Sequence, residues 1–173
     1  LGQIPDDAFS PYLHEAITKR DDGSPLRFEK EVSQRDGYGN VVTHEQWSGS
    51  SVSSFPYYEK SIITYDNEPG ASRWILGVPN HETLIQHLSG TDADAIVRHS
   101  TYQNDMNTGR HTEKCTEPGN EKQLTETYAY DGFGNLISTT AIGSGETRTE
   151  SVIYSTDGRF PIAKTNALGH TTT

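Results

Sequence analysis

Apolar and polar residues alternate along much of this chain with a period of two. Leu124, Glu126, Tyr128 and Tyr130 fall on one side, and Gln123, Thr125, Thr127 and Ala129 on the other. Arg148, Glu150, Val152 and Tyr154 alternate in the same way with Thr147, Thr149, Ser151 and Ile153. This is the period of a strand, whose successive side chains point to opposite faces. Ile142-Gly143-Ser144-Gly145 lies between the two runs and predicts a tight turn. The pattern predicts further strands at Leu26, Phe28, Lys30 and Val32, from Tyr57 to Asp66, from Arg73 to Val78, and at Ile96, Arg98, Ser100 and Tyr102. Trp74, Leu76 and Val78 are expected to share a face as a local core anchor, with Pro79 stopping the strand. His81 to His87 reads as a strand or as one helical turn.

The turns repeat. Arg35-Asp36-Gly37-Tyr38-Gly39-Asn40-Val41-Val42 and Tyr130-Asp131-Gly132-Phe133-Gly134-Asn135-Leu136-Ile137 are two copies of one phrase. Looser copies follow at Tyr154-Ser155-Thr156-Asp157-Gly158-Arg159 and Thr165-Asn166-Ala167-Leu168-Gly169-His170. Asp36, Asp131 and Asp157 are expected to accept backbone hydrogen bonds inside their own turns. Gly39, Gly134, Gly158 and Gly169 are placed to supply the positive φ that sends the chain back, and Asn40 and Asn135 complete the two tight copies. Internal repetition of strand, tight turn and strand predicts an all-β fold of consecutive antiparallel hairpins, forming part of a curved sheet or spiral wall.

The remaining segments fit around these hairpins. Ser10-Pro11 ahead of Leu13, Ala16 and Ile17 offers an N-capped helix. Alternation from Tyr12 through Lys19, with a turn at Asp21-Asp22-Gly23-Ser24, offers a hairpin instead, which agrees better with the repeats. The Ser/Gly-rich stretch from Ser48 to Ser54 reads as a long hairpin loop, Asn67-Glu68-Pro69-Gly70 as a turn, and Gly90-Thr91-Asp92-Ala93-Asp94 and Gln103 to Gly109 as loops. The chain is expected to be a single β-sheet segment, with N-terminal hairpins in 1–55, central Trp-containing strands in 56–110 and C-terminal repeats in 111–173.

Composition modifies this picture in one respect. Leu, Ile, Val and Phe make up only 32 of 173 residues and the formal charge is −10, a combination typical of disorder. The strict alternation argues otherwise, because nine Tyr, two Trp and 20 Thr suit a pleated, half-wet surface. A thin sheet with much polar surface is expected rather than a thick core. An acidic chain without a basic run disfavours nucleic acid as a partner. No apolar stretch approaches the roughly 20 residues of a spanning helix, which disfavours membrane insertion. The N-terminus lacks the marks of a signal peptide, there is no initiating Met and the chain stops inside a repeat, so an internal piece of a larger protein is expected.

Candidate chemistry is sparse. Cys115 has no partner for an internal disulfide and reads as a tolerated thiol. Seven His at spacings such as His81 with His87, or His99 with His111, match no compact ligand motif, so no metal site is assigned and surface His is expected. Asp92-Ala93-Asp94 and Asp105-Met106-Asn107-Thr108-Gly109 resemble half of a calcium loop but lack its closing glutamate, and turn chemistry is the expectation. Glu126 and Glu150, read as lying on neighbouring strands, are an acid pair of the kind a glycoside hydrolase needs, without specificity. Tyr65, Trp74, Tyr128, Tyr130 and Tyr154 are aromatics available for stacking on glycans if exposed, and packed-face residues otherwise.

The Tyr130-Asp131-Gly132-Phe133-Gly134-Asn135 and Asp36-Gly37-Tyr38-Gly39-Asn40 phrases, with Trp74-Ile75-Leu76-Gly77-Val78-Pro79 and Gly158-Arg159-Phe160-Pro161 leading to Thr165-Asn166-Ala167-Leu168-Gly169-His170, resemble the YD-repeat, or Rhs, family. That family includes the toxin-complex shell components of insecticidal bacteria and the teneurins. The resemblance covers about residues 30–173. It implies a β-sheet spiral that builds a hollow shell around a toxic C-terminal segment or, in other members, presents an adhesive surface. The family's self-cleaving protease motif has no counterpart here, so no catalytic residue is carried over and no cofactor is implied. The reading is a non-enzymatic scaffold or shell segment of a secreted or cell-surface bacterial protein, its partner the rest of its own polypeptide. A glycan- or cell-surface-binding β module is the first alternative and a glycoside hydrolase the second.

Overall fold

The computed structural model describes residues 15–20, 27–49, 56–70, 74–87 and 95–173, with the side chains of 18–20 and 27–30 left aside. The helix considered after Ser10-Pro11, the turn at Asp21-Asp22-Gly23-Ser24, the Asp92-Ala93-Asp94 pair and residues 50–55 of the connector lie outside the described residues. Twelve strands form among the described residues: β1 (Glu15–Arg20), β2 (Arg27–Arg35), β3 (Val41–Gly49), β4 (Tyr57–Pro69), β5 (Trp74–His87), β6 (Ile96–Asp105), β7 (Arg110–Thr116), β8 (Leu124–Tyr130), β9 (Leu136–Gly143), β10 (Glu146–Tyr154), β11 (Pro161–Thr165) and β12 (Thr171–Thr172). Their order in the sheet is their order in the chain. The fold is all-β, a run of consecutive antiparallel hairpins not closed into a barrel, as the period-two pattern predicts. Two compact units divide the chain, residues 1–61 with 85–96 and residues 62–84 with 97–173.

A sheet without a covering layer buries little, because each face needs a second element against it to exclude water. Among the described residues no large side chain is fully buried, and the buried apolar residues are Val78, at 7% exposure, and Cys115. Trp74 is 74% exposed, so the anchor expected of it is corrected: Val78 alone of Trp74, Leu76 and Val78 is buried. Alternation is broken between them, since Gly77 takes φ +73 and donates its amide to Asn67 Oδ1 at 2.8 Å. The same irregularity accounts for Pro79, which does not stop the strand but lies inside β5. Proline, lacking an amide donor, is accommodated where a strand is irregular. His81 to His87 accordingly continue β5 as strand. Asn67 to Pro69, expected to turn, extend β4, and Ser48 and Gly49 belong to β3.

The register carries a feature that the alternation does not reveal. It shifts between Gln34 and Arg35, Gln103 and Asn104, Ala129 and Tyr130, and Ile153 and Tyr154. On the returning strand this leaves over Val42, Thr112, Ile137 and Ile162, since Arg35 pairs with Val41 and Gln34 with Thr43, and the others follow suit. A bulge of one residue adjoins the turn in each of these hairpins, where it re-aims the strand and increases local twist. The Ser144-Gly145 turn differs, with φ of +51 and +78 at its two central residues and an unshifted ladder of Glu146 on Gly143. That is the twist-matched two-residue hairpin.

Candidate functional site

Two features of the sheet recur often enough to be candidates for function: the repeated turns and the tyrosine-bearing face of the second unit. In the first turn the Asp36 amide donates to Asn40 O at 2.9 Å and the Gly39 amide to Asp36 O at 3.1 Å. Asp36 Oδ1 accepts the amides of Tyr38 and Asn40, both at 2.9 Å, and Oδ2 accepts Asn40 Nδ2 at 2.9 Å. The Asp131 turn reproduces all five bonds, at 2.9 to 3.0 Å, through Phe133, Gly134 and Asn135. One carboxylate thus satisfies donors that the tight loop would otherwise leave to water. Partial burial pushes Asp36 and Asp131 up, but donors from Asn40 with Tyr38 and Gly39, and from Asn135 with Phe133 and Gly134, outweigh it and hold both acids below the ordinary carboxylate range.

The looser copies use the same plan with different chemistry. Asn166 replaces the aspartate in the last turn: its Oδ1 accepts the amides of Leu168 at 2.9 Å and His170 at 3.0 Å, and its own amide bonds His170 O at 3.0 Å. In the 155–160 turn Asp157 accepts a backbone amide as expected, but it does not lead the turn. Ser155 occupies the leading position, its amide bonding Phe160 O at 2.8 Å while Gly158 N bonds Ser155 O at 2.8 Å. Asp157 accepts Ser155 Oγ at 2.5 Å and the Arg159 amide at 3.3 Å, which lowers its pKa. Asp105 leads a fifth turn, in which backbone and side-chain donors of Asn107 and the Thr108 hydroxyl occupy its carboxylate. Turn chemistry therefore uses the oxygens considered for calcium there.

Gly39, Gly134, Gly158 and Gly169 all lie at positive φ, +88, +93, +71 and +81. Their surroundings differ. Nothing stands within 4 Å of where a Cβ on Gly39 would sit, whereas the Arg110 guanidinium covers Gly134 and the Phe133 ring covers Gly158. Asn135 Nδ2 also reaches Gly158 O at 2.7 Å, so neighbouring turns of the second unit are stitched together.

Register places Tyr102, Lys114, Glu126, Ala141 and Arg148 in one row on one face. Strand alternation puts Tyr128, Tyr130 and Tyr154 on that same face. Tyr130 Oη donates to His111 O at 2.9 Å and lies under the Arg110 guanidinium, 5.5 Å from the ring centroid. The Tyr102 ring lies 5.1 Å from His111 and 5.7 Å from Lys114 Nζ. Burial, with the Glu82 carboxylate that accepts its hydroxyl at 3.1 Å, pushes the Tyr102 phenol up to about 12. Burial and the Glu126 charge raise Tyr128 as well. All four tyrosines are half-buried. Asp66 belongs to this face through Asn104, so Tyr65 beside it points to the other, and Trp74 is solvent-exposed. The five candidate glycan-stacking residues therefore do not form one ladder.

Across β4 to β7 a polar network continues the same face. Asp66 accepts Asn80 Nδ2 at 2.7 Å and Asn104 Nδ2 at 2.9 Å, Thr64 donates to Asn80, and His111 Nδ1 lies 2.6 Å from Asn104 Oδ1. The opposite face of β8 to β10 is short and uncharged, with Thr127, Thr140 and Thr149 in one row and the hydroxyls of the last two 3.0 Å apart.

Glu126 and Glu150 are not on neighbouring strands: β9 stands between β8 and β10, and the two acids sit in rows two residues apart. Glu150 faces Lys164 Nζ at 3.3 Å. A shallow groove of about 410 Å³ along β11 and β12 is lined by Pro161, Ile162, Lys164 and His170 among others, with no Asp or Glu side chain in its wall. The expectation of surface histidines is corrected at His87, which is buried against Tyr58 with ring centroids 5.3 Å apart. Register also brings His81 against His99, with ring centroids 5.8 Å apart. Cross-strand neighbours of this kind depend on register, which sequence spacing does not carry. Cys115 is buried and accepts a hydrogen bond from Thr125 Oγ1 at 3.8 Å.

No protein-family model matches the chain, and no curated protein matches it at a significant level.

Proposed function

We propose that this chain is a wall segment of a larger YD-repeat-type protein, a scaffold without catalysis of its own. The observation that carries the reading is the five-bond turn, made identically at Asp36 and Asp131 and mimicked by Asn166, in a sheet whose described residues bury almost no apolar side chain. Polar residues at repeated positions are taken up by holding turns, and carboxylates are spread along strands rather than converging on one concavity. Such a sheet extends by adding hairpins, each supported by its neighbours, which suits it to enclosing or displaying another part of its own polypeptide at a bacterial surface or outside the cell.

The test is turnover by the chain on glycosides, esters, peptides and nucleic acids, with Glu126→Gln and His111→Gln alongside. No activity is expected from any of them. A substitution that abolished a measurable activity while leaving the melting temperature unchanged would replace the scaffold with the hydrolase. The exposure of Trp74 favours one second reading, glycan binding, since a solvent-facing indole is a stacking surface. Retention on immobilised glycans that Trp74→Ala removes would support it, and no retention would exclude it for the sugars used.

A further inference from the structure

Two histidines that lie far apart in sequence converge on one hydroxyl. His81 Nε2 lies 3.2 Å from Thr83 Oγ1, and His99 Nδ1 lies 3.1 Å from the same oxygen. The rings, on adjacent strands β5 and β6, stand with centroids 5.8 Å apart, tilted by 39°. Imidazoles sharing a metal at about 2.0–2.1 Å have centroids within about 6.5 Å of each other, so both nitrogens reach one ion after small ring rotations. Thr83 brings an oxygen ligand to the same point, and His99 is exposed, which leaves a path from solvent. Glu117 lies beside His99, its amide bonding His99 O at 2.8 Å, and an acidic chain draws cations towards it.

Two other described histidines are engaged elsewhere. His44 faces Ser33 Oγ at 3.1 Å and Glu31 at 3.6 Å, and His111 is turned to Asn104. Among the described residues no group of three or more His, Cys, Asp or Glu is gathered. We propose that His81 and His99, with the Thr83 hydroxyl between them, form a two-histidine surface site for a divalent transition metal, with water completing the coordination. Imidazole ligands select copper, nickel or zinc over magnesium and calcium, and Cu²⁺ binds tightest of these. The bound ion ties β5 to β6 at a place where hydrogen bonds of one hydroxyl otherwise do so.

Cu²⁺ titrated into the chain at neutral pH, followed by calorimetry and by electron paramagnetic resonance, tests this. One site with two imidazole nitrogens is expected. His81→Gln or His99→Gln should weaken it at least about tenfold and leave one nitrogen in the spectrum, and His111→Gln should leave it intact. Binding should fall at pH 5, because the metal displaces protons from its ligands. A measurement without variants runs beside it: Cu²⁺ should protect His81 and His99 from diethylpyrocarbonate while His44 and His170 remain reactive. Affinity unchanged in both Gln variants, or protection that spares this pair, overturns the proposal.

Discussion

The turns at Asp36 and Asp131 belong to different units of the molecule and make the same five hydrogen bonds, yet their surroundings differ. Around Gly39 the structure is open, and the loop is closed off locally by Arg35, whose guanidinium donates to Gly39 O at 2.6 Å. Around Gly134 the next strands intervene: Arg110 lies over the glycine and over Tyr130, and Asn135 reaches on to Gly158. The bonds within the turn are therefore a property of the Asp-Gly-x-Gly-Asn sequence itself. What the neighbours add is stacking of one turn on another, and substitutions at matched positions separate the two contributions.

The largest difference is expected at the glycines. Gly134→Val forces a β-branched residue to φ +93 and displaces the Arg110 guanidinium from over the turn and the Tyr130 ring; a cost of roughly 2–4 kcal/mol follows. Gly39→Val meets strain alone, about 1–3 kcal/mol. Urea unfolding of both variants reads the gap, and equal costs would show that the Arg110 cover contributes nothing.

The carboxylates come next. Asp131→Ala should lower the melting temperature clearly, and Asp131→Asn much less, because Asn166 already does this work in the last turn. The two aspartates also make the protein acid-sensitive. Their folded pKa values lie below the unfolded ones, so the stability they contribute is complete above about pH 4 and is lost as pH falls through the depressed folded values. Acid unfolding should shift to lower pH in the Asp36→Asn, Asp131→Asn double variant. Tyr102 gives the opposite sign. Its pKa is raised to about 12, so its contribution is full below the unfolded value near 10 and disappears as pH rises through the folded one. Tyr102→Phe should blunt alkaline unfolding seen by circular dichroism.

The smallest effect is expected from Arg110→Ala, which removes a half-buried cation from the Tyr130 ring, worth about 0.5–1 kcal/mol. No change at Arg35→Ala in the Gly134 unit's unfolding transition should accompany it.

The turns were legible in the sequence because each is a short-range device: Asp36 and Asn40, or Asp131 and Asn135, find each other four residues apart. Strand period and hairpin order were legible for the same reason. What escaped depends on register. The bulge residues Val42, Ile137 and Ile162 look like ordinary members of an alternating run. Asp157 stands in the aspartate's apparent place, but a one-residue insertion hands the leading role to Ser155. Trp74 reads as a core residue by sharing an alternating face with Leu76 and Val78, while the Gly77 irregularity decides which of them is buried. His81 and His99 meet only because β5 and β6 pair at a particular offset.

The central claim is that turns, rather than a core, hold this sheet. Val78→Ala removes two methyl-sized groups from the most buried apolar side chain among the described residues, whereas Asp131→Ala empties one turn at the surface. Thermal unfolding of the two variants under identical conditions tests the claim most directly. The larger fall in melting temperature is expected for Asp131→Ala; a larger fall for Val78→Ala, with Asp131→Ala near wild type, would show that the sheet is held by its core.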